Sequence, residues 1–229
     1  MAGRRNFLRP LVAAALLFVL AFGVPLPPTA SAQSPALSPP PPLASEVIAP
    51  GWQRSWAAGT IDEAGRRMGG TEVMHLVVHR GKLYAGLGYW LDPRNVIYGG
   101  KNPKDFWAQI LRLDGPDAHW RVDLDMPMHL RPEILKSVIF TTDGRGKALN
   151  APVELLLAAT YEIPRRGISL FIRDDETGRW EKSKIIAGDT GLTGEDNSVR
   201  AMLVHRDAVT GIDRLFVSVG VAGIYSGGL

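Results

Sequence analysis

The sequence predicts an all-β fold built from antiparallel four-stranded sheets, and three observations support this class. Short apolar runs of about five to seven residues recur along the chain, a length typical of strands rather than helices. Stretches rich in Asp, Gly and Pro separate these runs and favour tight turns. Similar segments then return at a nearly fixed spacing, which is typical of repeat proteins.

The repeat is clearest in paired apolar residues and in a turn followed by tryptophan. Val138-Ile139 follows Val77-Val78 by 61 residues, and Leu203-Val204 follows after 65 more. Trp120 and Trp180 each come shortly after a turn that an Asp opens. The Asp side chain can accept turn amides, and the Trp can pack between neighbouring sheets. An ordinary antiparallel hairpin is the alternative interpretation of each copy.

Residues 1–32 predict an export signal. They open with the basic stretch Arg4-Arg-Asn-Phe-Leu-Arg9, continue with an apolar run over 11–22, and end in the small-residue cleavage motif Ala30-Ser31-Ala32. The basic stretch resembles a twin-arginine signal, and the general secretory route is the alternative. The apolar run is short for a bilayer span. We therefore expect a bacterial protein of the periplasm or the extracellular space, without membrane insertion after cleavage.

Charge and cysteine content exclude several classes of function. The chain carries a formal charge of +3, but residues 1–32 hold three Arg and no acid. The remainder balances 26 − 3 = 23 basic against 23 acidic residues, so no basic excess indicates nucleic acid or an anionic membrane as a partner. The absence of Cys excludes disulfides, thiolate metal sites and a cysteine nucleophile.

The rest of the chain divides into a linker and one incomplete folded region. Residues 33–50 are rich in proline and predict a disordered or extended tether. The folded region, 51–229, contains units at about 70–126 and 135–186 and an incomplete third unit at 199–229, which lacks an outermost strand. Open strand edges invite association. We therefore expect either a truncated product, the preferred interpretation, or a homo-oligomer that covers the open edges.

A long aromatic insertion between two predicted strands, residues 89–107, supplies the candidate ligand-binding residues. Loops of this length are usually functional or disordered, and its aromatic content argues against disorder. Alternate connections of a meander share one side of the sheet, so this insertion should lie beside 125–135, 161–167 and 187–199. A loop folded back over the sheet edge by its own aromatics is the alternative. The predicted ligand-binding residues are Tyr89, Trp90, Asp92, Arg94 and Trp107.

No metal, cofactor or catalytic site is predicted. His75 and His79 lie on a predicted strand, where four residues span ~13 Å, too far to share one metal. They are expected to be partly buried, and His205 similarly. Calcium in the loop at 188–197 is physically reasonable, but a polar connecting loop is the preferred interpretation. Acidic pairs occur in turns or at strand ends, with no sign that two converge: Asp123 with Asp125, Asp174 with Asp175, and Glu195 with Asp196.

Over about 70–229 the repeats resemble blades of a β-propeller. The stretches Asp114–Trp120 and Asp174–Trp180 loosely resemble the aspartate-box turns of sialidase-like propellers. Kelch blades carry a Gly-Gly doublet, present here as Gly69-Gly70 and Gly99-Gly100, without their regularly spaced Tyr and Trp. Residues 199–227 are similar to a segment of longer exported bacterial propeller-like proteins. The resemblance implies an incomplete β-propeller, with a β-sandwich as the second choice.

Three functions are compatible with these residues. The leading hypothesis is an exported recognition module for a glycan or a protein, in which Trp90 or Trp107 stacks on the ligand. The alternative is a glycoside hydrolase-like propeller, which requires convergent carboxylates and arginines. The third is a partial gene product without activity of its own.

Overall fold

The computed structural model describes residues 51–93, 107–163, 167–187 and 198–229, which belong to one compact unit, 39–229. The predicted signal (1–32), the tether (33–50) and the loop at 188–197 lie outside the described residues. No helix in the described ranges is long and apolar enough to cross a membrane. The strands are β1 (Glu72–His79), β2 (Lys82–Gly88), β3 (Ala108–Leu113), β4 (Arg121–Met126), β5 (Ile134–Thr142), β6 (Ala148–Tyr161), β7 (Gly167–Arg173), β8 (Trp180–Ala187), β9 (Val199–Arg206), β10 (Asp213–Val219) and β11 (Ile224–Gly227).

The strands form three antiparallel sheets, each a meander in which strands pair with their neighbours in sequence. Sheet 1 contains β1 to β4, sheet 2 contains β5 to β8, and sheet 3 contains β9 to β11. None of the three closes into a barrel. The predicted all-β class is confirmed. In the described part of the chain, sheet 3 contains three strands.

The sheets stack face to face, with sheet 2 in the middle. Because successive side chains of a strand point to opposite faces, Leu156 and Ala158 of β6 pack toward sheet 1, whereas Leu157 and Ala159 pack toward sheet 3. The first strands also contact one another in series, β1 with β5 and β5 with β9. The core between sheets 1 and 2 includes Tyr84, Ala108, Ile110, Met126, Leu135 and Phe171. The core between sheets 2 and 3 includes Val138, Phe140, Ile168, Val199, Met202, Val217 and Val219.

The segment before β1 covers part of the outer face of sheet 1. Trp56 and Met68 pack there against a cluster that includes Leu87 and Trp120. Asp62 fixes the segment, because its carboxylate accepts the Arg66 amide at 2.8 Å and the Val122 amide of β4 at 3.1 Å. The segment therefore covers the outer face of sheet 1 near β3 and β4. Beside β1 the same face carries an apolar groove, whose lining includes Trp56, Leu76 and Trp120.

Two hairpins use the same five-residue turn, Asp-x-x-Thr-Gly. Asp174 and Asp207 accept backbone amides two and three residues ahead, together with the Thr hydroxyl. Gly178 and Gly211 close the turns with φ of 71° and 68°, a conformation that favours glycine. The predicted turn role of the Asp is confirmed at 174. At Asp114 it is wrong, because that carboxylate pairs with the side chains of Lys82, Arg112 and Arg121.

The strand β6 begins at Ala148, which pairs with Thr142 of β5. The register shifts between this pair and the next, Phe140 with Val153, so β6 carries extra residues there. Pro152 lies in this stretch and has no amide to donate to the ladder, which explains the irregularity.

Asp213 joins sheet 3 to the first strand of sheet 2. Its buried carboxylate accepts the Thr141 hydroxyl at 2.7 Å, the Thr142 amide at 3.0 Å and also the Thr141 amide. These hydrogen bonds hold the pKa of Asp213 below its ordinary value, and the one from the Thr141 hydroxyl has the largest effect. The carboxylate is therefore charged in the folded protein at neutral pH.

Asp213→Ala should lower the free energy of unfolding by about 2–3 kcal/mol, because it leaves buried amide donors without an acceptor. Urea denaturation followed by circular dichroism measures the change. Asp213→Asn keeps one acceptor oxygen and should lose less. Equal stability of the Ala variant and the unmodified protein would contradict this role.

Candidate functional site

One end of the stack brings together the described parts of the connections that follow β2, β4 and β6. For these parts the predicted juxtaposition is confirmed, whereas residues 94–106, 164–166 and 188–197 lie outside the described residues. Backbone hydrogen bonds join them: Tyr89 N–H to Leu130 O at 2.7 Å, Ala108 N–H to His129 O at 2.9 Å, and Ile163 N–H to Met128 O at 2.8 Å. Strands β1, β5 and β9 all begin at this end.

A short segment before β5, residues 131–133, lies directly against β2 because β2 carries glycine there. A Cβ on Gly86 would stand 2.7 Å from Pro132 Cγ, and one on Gly88 would stand 2.6 Å from Arg131 Cβ. Thr160 Oγ1 donates to Arg131 O at 2.7 Å and holds the segment from sheet 2. The Gly86-Leu-Gly88 pattern thus has a packing role in this chain.

Arg131 and Glu133 of this segment belong to a mainly charged cluster that we call the strand-start site. Its members are Glu72, Trp90, Arg131, Glu133 and Arg200. Arg131 Nε donates to Glu133 Oε1 at 2.8 Å, and Arg200 Nη1 lies 3.5 Å from Glu133 Oε2. The Arg131 guanidinium also stacks on the Trp90 ring, 4.2 Å from its centroid. Arg131 therefore links the aromatic insertion to the carboxylates at the strand starts.

Two carboxylate oxygens of the strand-start site accept no hydrogen bond from the residues that the structure describes. They are the buried atoms Glu72 Oε1 and Glu133 Oε2, the second of which lies in the 3.5 Å ion pair with Arg200. Burial raises the pKa of Glu72 above its ordinary value, although Arg131 and the Trp90 amide act in the opposite direction. Buried polar atoms nearly always have partners, so these two oxygens are exceptions among the described residues.

The structure divides the predicted ligand-binding residues into anchors and accessible side chains. Tyr89 is buried, with its hydroxyl 3.4 Å from Arg67 Nη1, and Asp92 is also buried. Trp90 and Trp107 are half-buried. Arg94 lies outside the described residues. Among the described members of the five, Trp90 belongs to the strand-start site, through its contact with Arg131.

The histidines occupy three different environments. His75 is half-buried and donates from Nε2 to Pro132 O at 3.2 Å. His79 is fully buried, and His205 is exposed. The expectation that His205 is partly buried is wrong, because no further sheet covers that face of sheet 3 in the described part of the chain. Among the described residues, no group of three or more acidic or histidine side chains could hold a metal ion.

The opposite end of sheets 1 and 2 holds a buried ion cluster that sequence reasoning missed. Arg173 Nε donates to Asp123 Oδ2 at 2.8 Å, and Arg112 Nη1 donates to Asp123 Oδ1 at 2.7 Å. Trp180 Nε1 donates to the same carboxylate at 2.8 Å. Arg173 also pairs with Asp175. The available signal was the spacing of Arg112 and Arg173, which are 61 residues apart like the apolar pairs.

His79 extends this ion cluster toward β5. Its Nε2 lies 2.8 Å from Asp175 Oδ2, and its Nδ1 lies 2.8 Å from Ser137 Oγ, which donates to Glu154 at 2.8 Å. The Ser–His–Asp order resembles a nucleophilic triad only in composition. Ser137 sits in the middle of a strand, and its hydroxyl hydrogen is directed to Glu154. The chain of contacts therefore joins sheets 1 and 2.

No protein-family model, curated protein or solved structure matches the chain.

Proposed function

We propose that this chain is an exported recognition module with propeller-type blades, and that it binds a glycan at the strand-start site. The single observation that carries the proposal is the pair of carboxylate oxygens without donors, Glu72 Oε1 and Glu133 Oε2, beside a half-buried tryptophan. Sugar hydroxyls supply donors, and the apolar face of a sugar ring stacks on an indole.

The charge balance favours a neutral or hydroxyl-rich ligand. Glu133 is already paired with Arg131 and lies near Arg200, so an ionic ligand would have to break these pairs. A hydroxyl group can donate to a carboxylate and leave its ion pair in place. Glycans offer many such donors in a fixed arrangement, which makes them the best match to the site.

The propeller-type arrangement is supported by the order of the sheets. Each sheet is a meander, and each first strand contacts the first strand of the next sheet. Propeller blades have this connectivity around a central axis. Export is supported by the sequence of residues 1–32, with its basic start, apolar run and Ala-Ser-Ala motif.

Replacing Trp90 and Trp107 together with Ala should abolish binding to a glycan identified on an array, because the stacking surface is lost. Isothermal titration calorimetry on that glycan measures the effect. Trp52→Ala is the matched control, since Trp52 is 72% exposed and lies outside the strand-start site. Unchanged affinity of the double variant would end the glycan proposal, and a protein ligand would become the better candidate.

The same site gives one reason to test hydrolysis. Glu72 has a raised pKa because it is buried, whereas Glu133 is ion-paired, and paired carboxylates in unequal environments are typical of glycosidases. A panel of chromogenic glycosides distinguishes the two functions. Turnover that is lost in Glu72→Gln would establish an enzyme, and binding without turnover supports the recognition module.

A further inference from the structure

We propose that the glycan of the proposed function, on which this inference rests, is an oligosaccharide, and that Met128 and Trp107 contact it outside the strand-start site. Both residues lie at the end of the stack where the connections that follow β2 and β4 meet. The backbone of Met128 indicates this role, because it is strained while the side chain packs in none of the described cores.

Met128 occupies a turn position that normally belongs to glycine. The His129 amide donates to Met126 O at 3.1 Å, which closes a four-residue turn over Pro127 and Met128. Proline fixes its own φ at about −65°, and Met128 has a φ of 69°. This combination defines a type II turn, whose third residue is usually glycine or asparagine. A methionine at this position therefore strains the backbone.

Arg80 provides the comparison, because it is the other non-glycine residue with a positive φ among the described residues. Its φ is 46°, in the two-residue loop between β1 and β2. Hairpin loops of this length favour a positive φ. The Arg80 side chain has a partner within the protein, since its Nε lies 3.1 Å from Asp175 Oδ2. The ion pair is a reason for a side chain at this position in place of glycine.

The Met128 side chain has no comparable role inside the described part of the chain. It is half-buried and belongs to none of the three apolar clusters there. The preceding Pro127 is exposed. A methionine side chain is flexible and polarizable, so it adapts to surfaces of varied shape. A contact with a ligand therefore accounts for a methionine at a position where glycine would relieve the backbone.

Trp107 lies beside this turn. It directly precedes Ala108, whose amide donates to His129 O at 2.9 Å. Ala108 also pairs with Met126 in the ladder between β3 and β4. Trp107 is half-buried, so part of its surface remains accessible for stacking on a sugar. An accessible tryptophan and an accessible methionine are thus grouped where β3 begins and β4 ends.

The distance between this group and the strand-start site sets the size of the ligand. Glu72 begins β1, whereas Trp107 precedes β3 and Met128 follows β4 in the same sheet, whose order is β1-β2-β3-β4. Neighbouring strands lie about 4.8 Å apart, so β1 and β4 are separated by about 14 Å. A glycan that binds the strand-start site and also contacts Met128 therefore needs more than one sugar unit.

The test uses the full chain and oligosaccharides of increasing length, built from the sugar that an array identifies. Calorimetric titration should show that the affinity of the unmodified protein rises with the length of the oligosaccharide. Met128→Gly removes the side chain and relieves the backbone, so its urea midpoint should be equal or higher. Its affinity for the longest oligosaccharide should fall by about tenfold, as expected when part of a buried methionine contact is lost. Its affinity for the shortest one that binds should not change.

Two variants serve as controls. Met128→Ala removes most of the side chain but keeps the strained backbone, so it should lose the same affinity as Met128→Gly. Arg80→Gly changes the other strained position, at the opposite end of the stack, and should leave the affinity for every oligosaccharide unchanged.

The outcomes separate this inference from the proposed function. Full affinity of Met128→Gly for the longest oligosaccharide, or a lower urea midpoint, would overturn the role of Met128. Equal affinity of the unmodified protein for short and long ligands would overturn the oligosaccharide. If Trp90→Ala loses binding while Met128→Gly keeps it, this inference fails alone. If Trp90→Ala binds normally, or no glycan binds, the proposed function fails as well.

Discussion

Asp123→Ala should lower the free energy of unfolding by about 3–5 kcal/mol, the cost typical of removing one partner from a buried ion pair. The Asp123 carboxylate accepts hydrogen bonds from Arg112, Arg173 and Trp180. The Arg173 side chain is 4% exposed, so the substitution leaves a guanidinium inside the protein with Asp175 as its remaining acidic partner. Chemical denaturation measures the loss.

Two further variants separate the ion cluster from a general effect of charge. Asp117→Ala removes an exposed carboxylate from the turn before β4 and should change stability by less than about 0.5 kcal/mol. Asp123→Ala combined with Arg173→Met should be more stable than Asp123→Ala alone, because no unpaired charge is then buried. If the double variant is less stable than the single one, the buried charge is not the cause.

A second large effect is expected on acidification, and it depends on His129. The pKa of His129 is lowered from 6.5 to about 3. Burial is the main cause, and the positive charge of the nearby Lys182 is the second. The ring is fully buried, with Nδ1 donating to Pro127 O at 3.0 Å and edge contact to Phe171 at 5.4 Å between centroids. The folded protein therefore holds His129 neutral.

The sign of the pH effect follows from the two protonation states. Below pH 6.5 the unfolded chain binds a proton at His129 that the folded protein does not bind, so stability falls as the pH falls. The loss is about 1.4 kcal/mol for each pH unit and reaches roughly 5 kcal/mol near pH 3. Urea midpoints from pH 7 to pH 4 measure it. His129→Gln, which cannot titrate, should give a flatter profile, and identical slopes would show that other groups cause the acid sensitivity.

The strands were predictable from sequence because their signal is local. The apolar pairs at 77–78, 138–139 and 203–204 all lie in first strands of sheets, as their spacing indicates. Asp114 and Asp174 show the limit of such local signals. Both are followed by turn residues, but Asp114 is surrounded by three basic side chains and Asp174 by backbone amides.

The candidate site was only partly predictable. The aromatic insertion indicated Trp90, but not its partner Arg131, which lies 41 residues later in a connection without a motif. Tyr89 and Asp92 lie in the same aromatic insertion as Trp90, so the sequence does not distinguish them from it. In the fold, however, both side chains are buried. Likewise, Asp123 and Arg173 meet only because sheets 1 and 2 stack, across 50 residues of sequence. No local motif around Asp123 or Arg173 marks this contact, and the 61-residue spacing of Arg112 and Arg173 indicates equivalent positions rather than the partner that they share.

The meander order of the strands has a consequence for how the chain acquires its structure. Every strand pairs with a strand next to it in sequence, so each sheet can form from local contacts at low entropic cost. Docking of one sheet on another requires the distant contacts, such as Asp213 with Thr141, which are separated by 72 residues. Sheet 1 can therefore pair all of its strands while sheet 3 is still being synthesised, whereas the contacts between sheets must wait for the later segments of the chain.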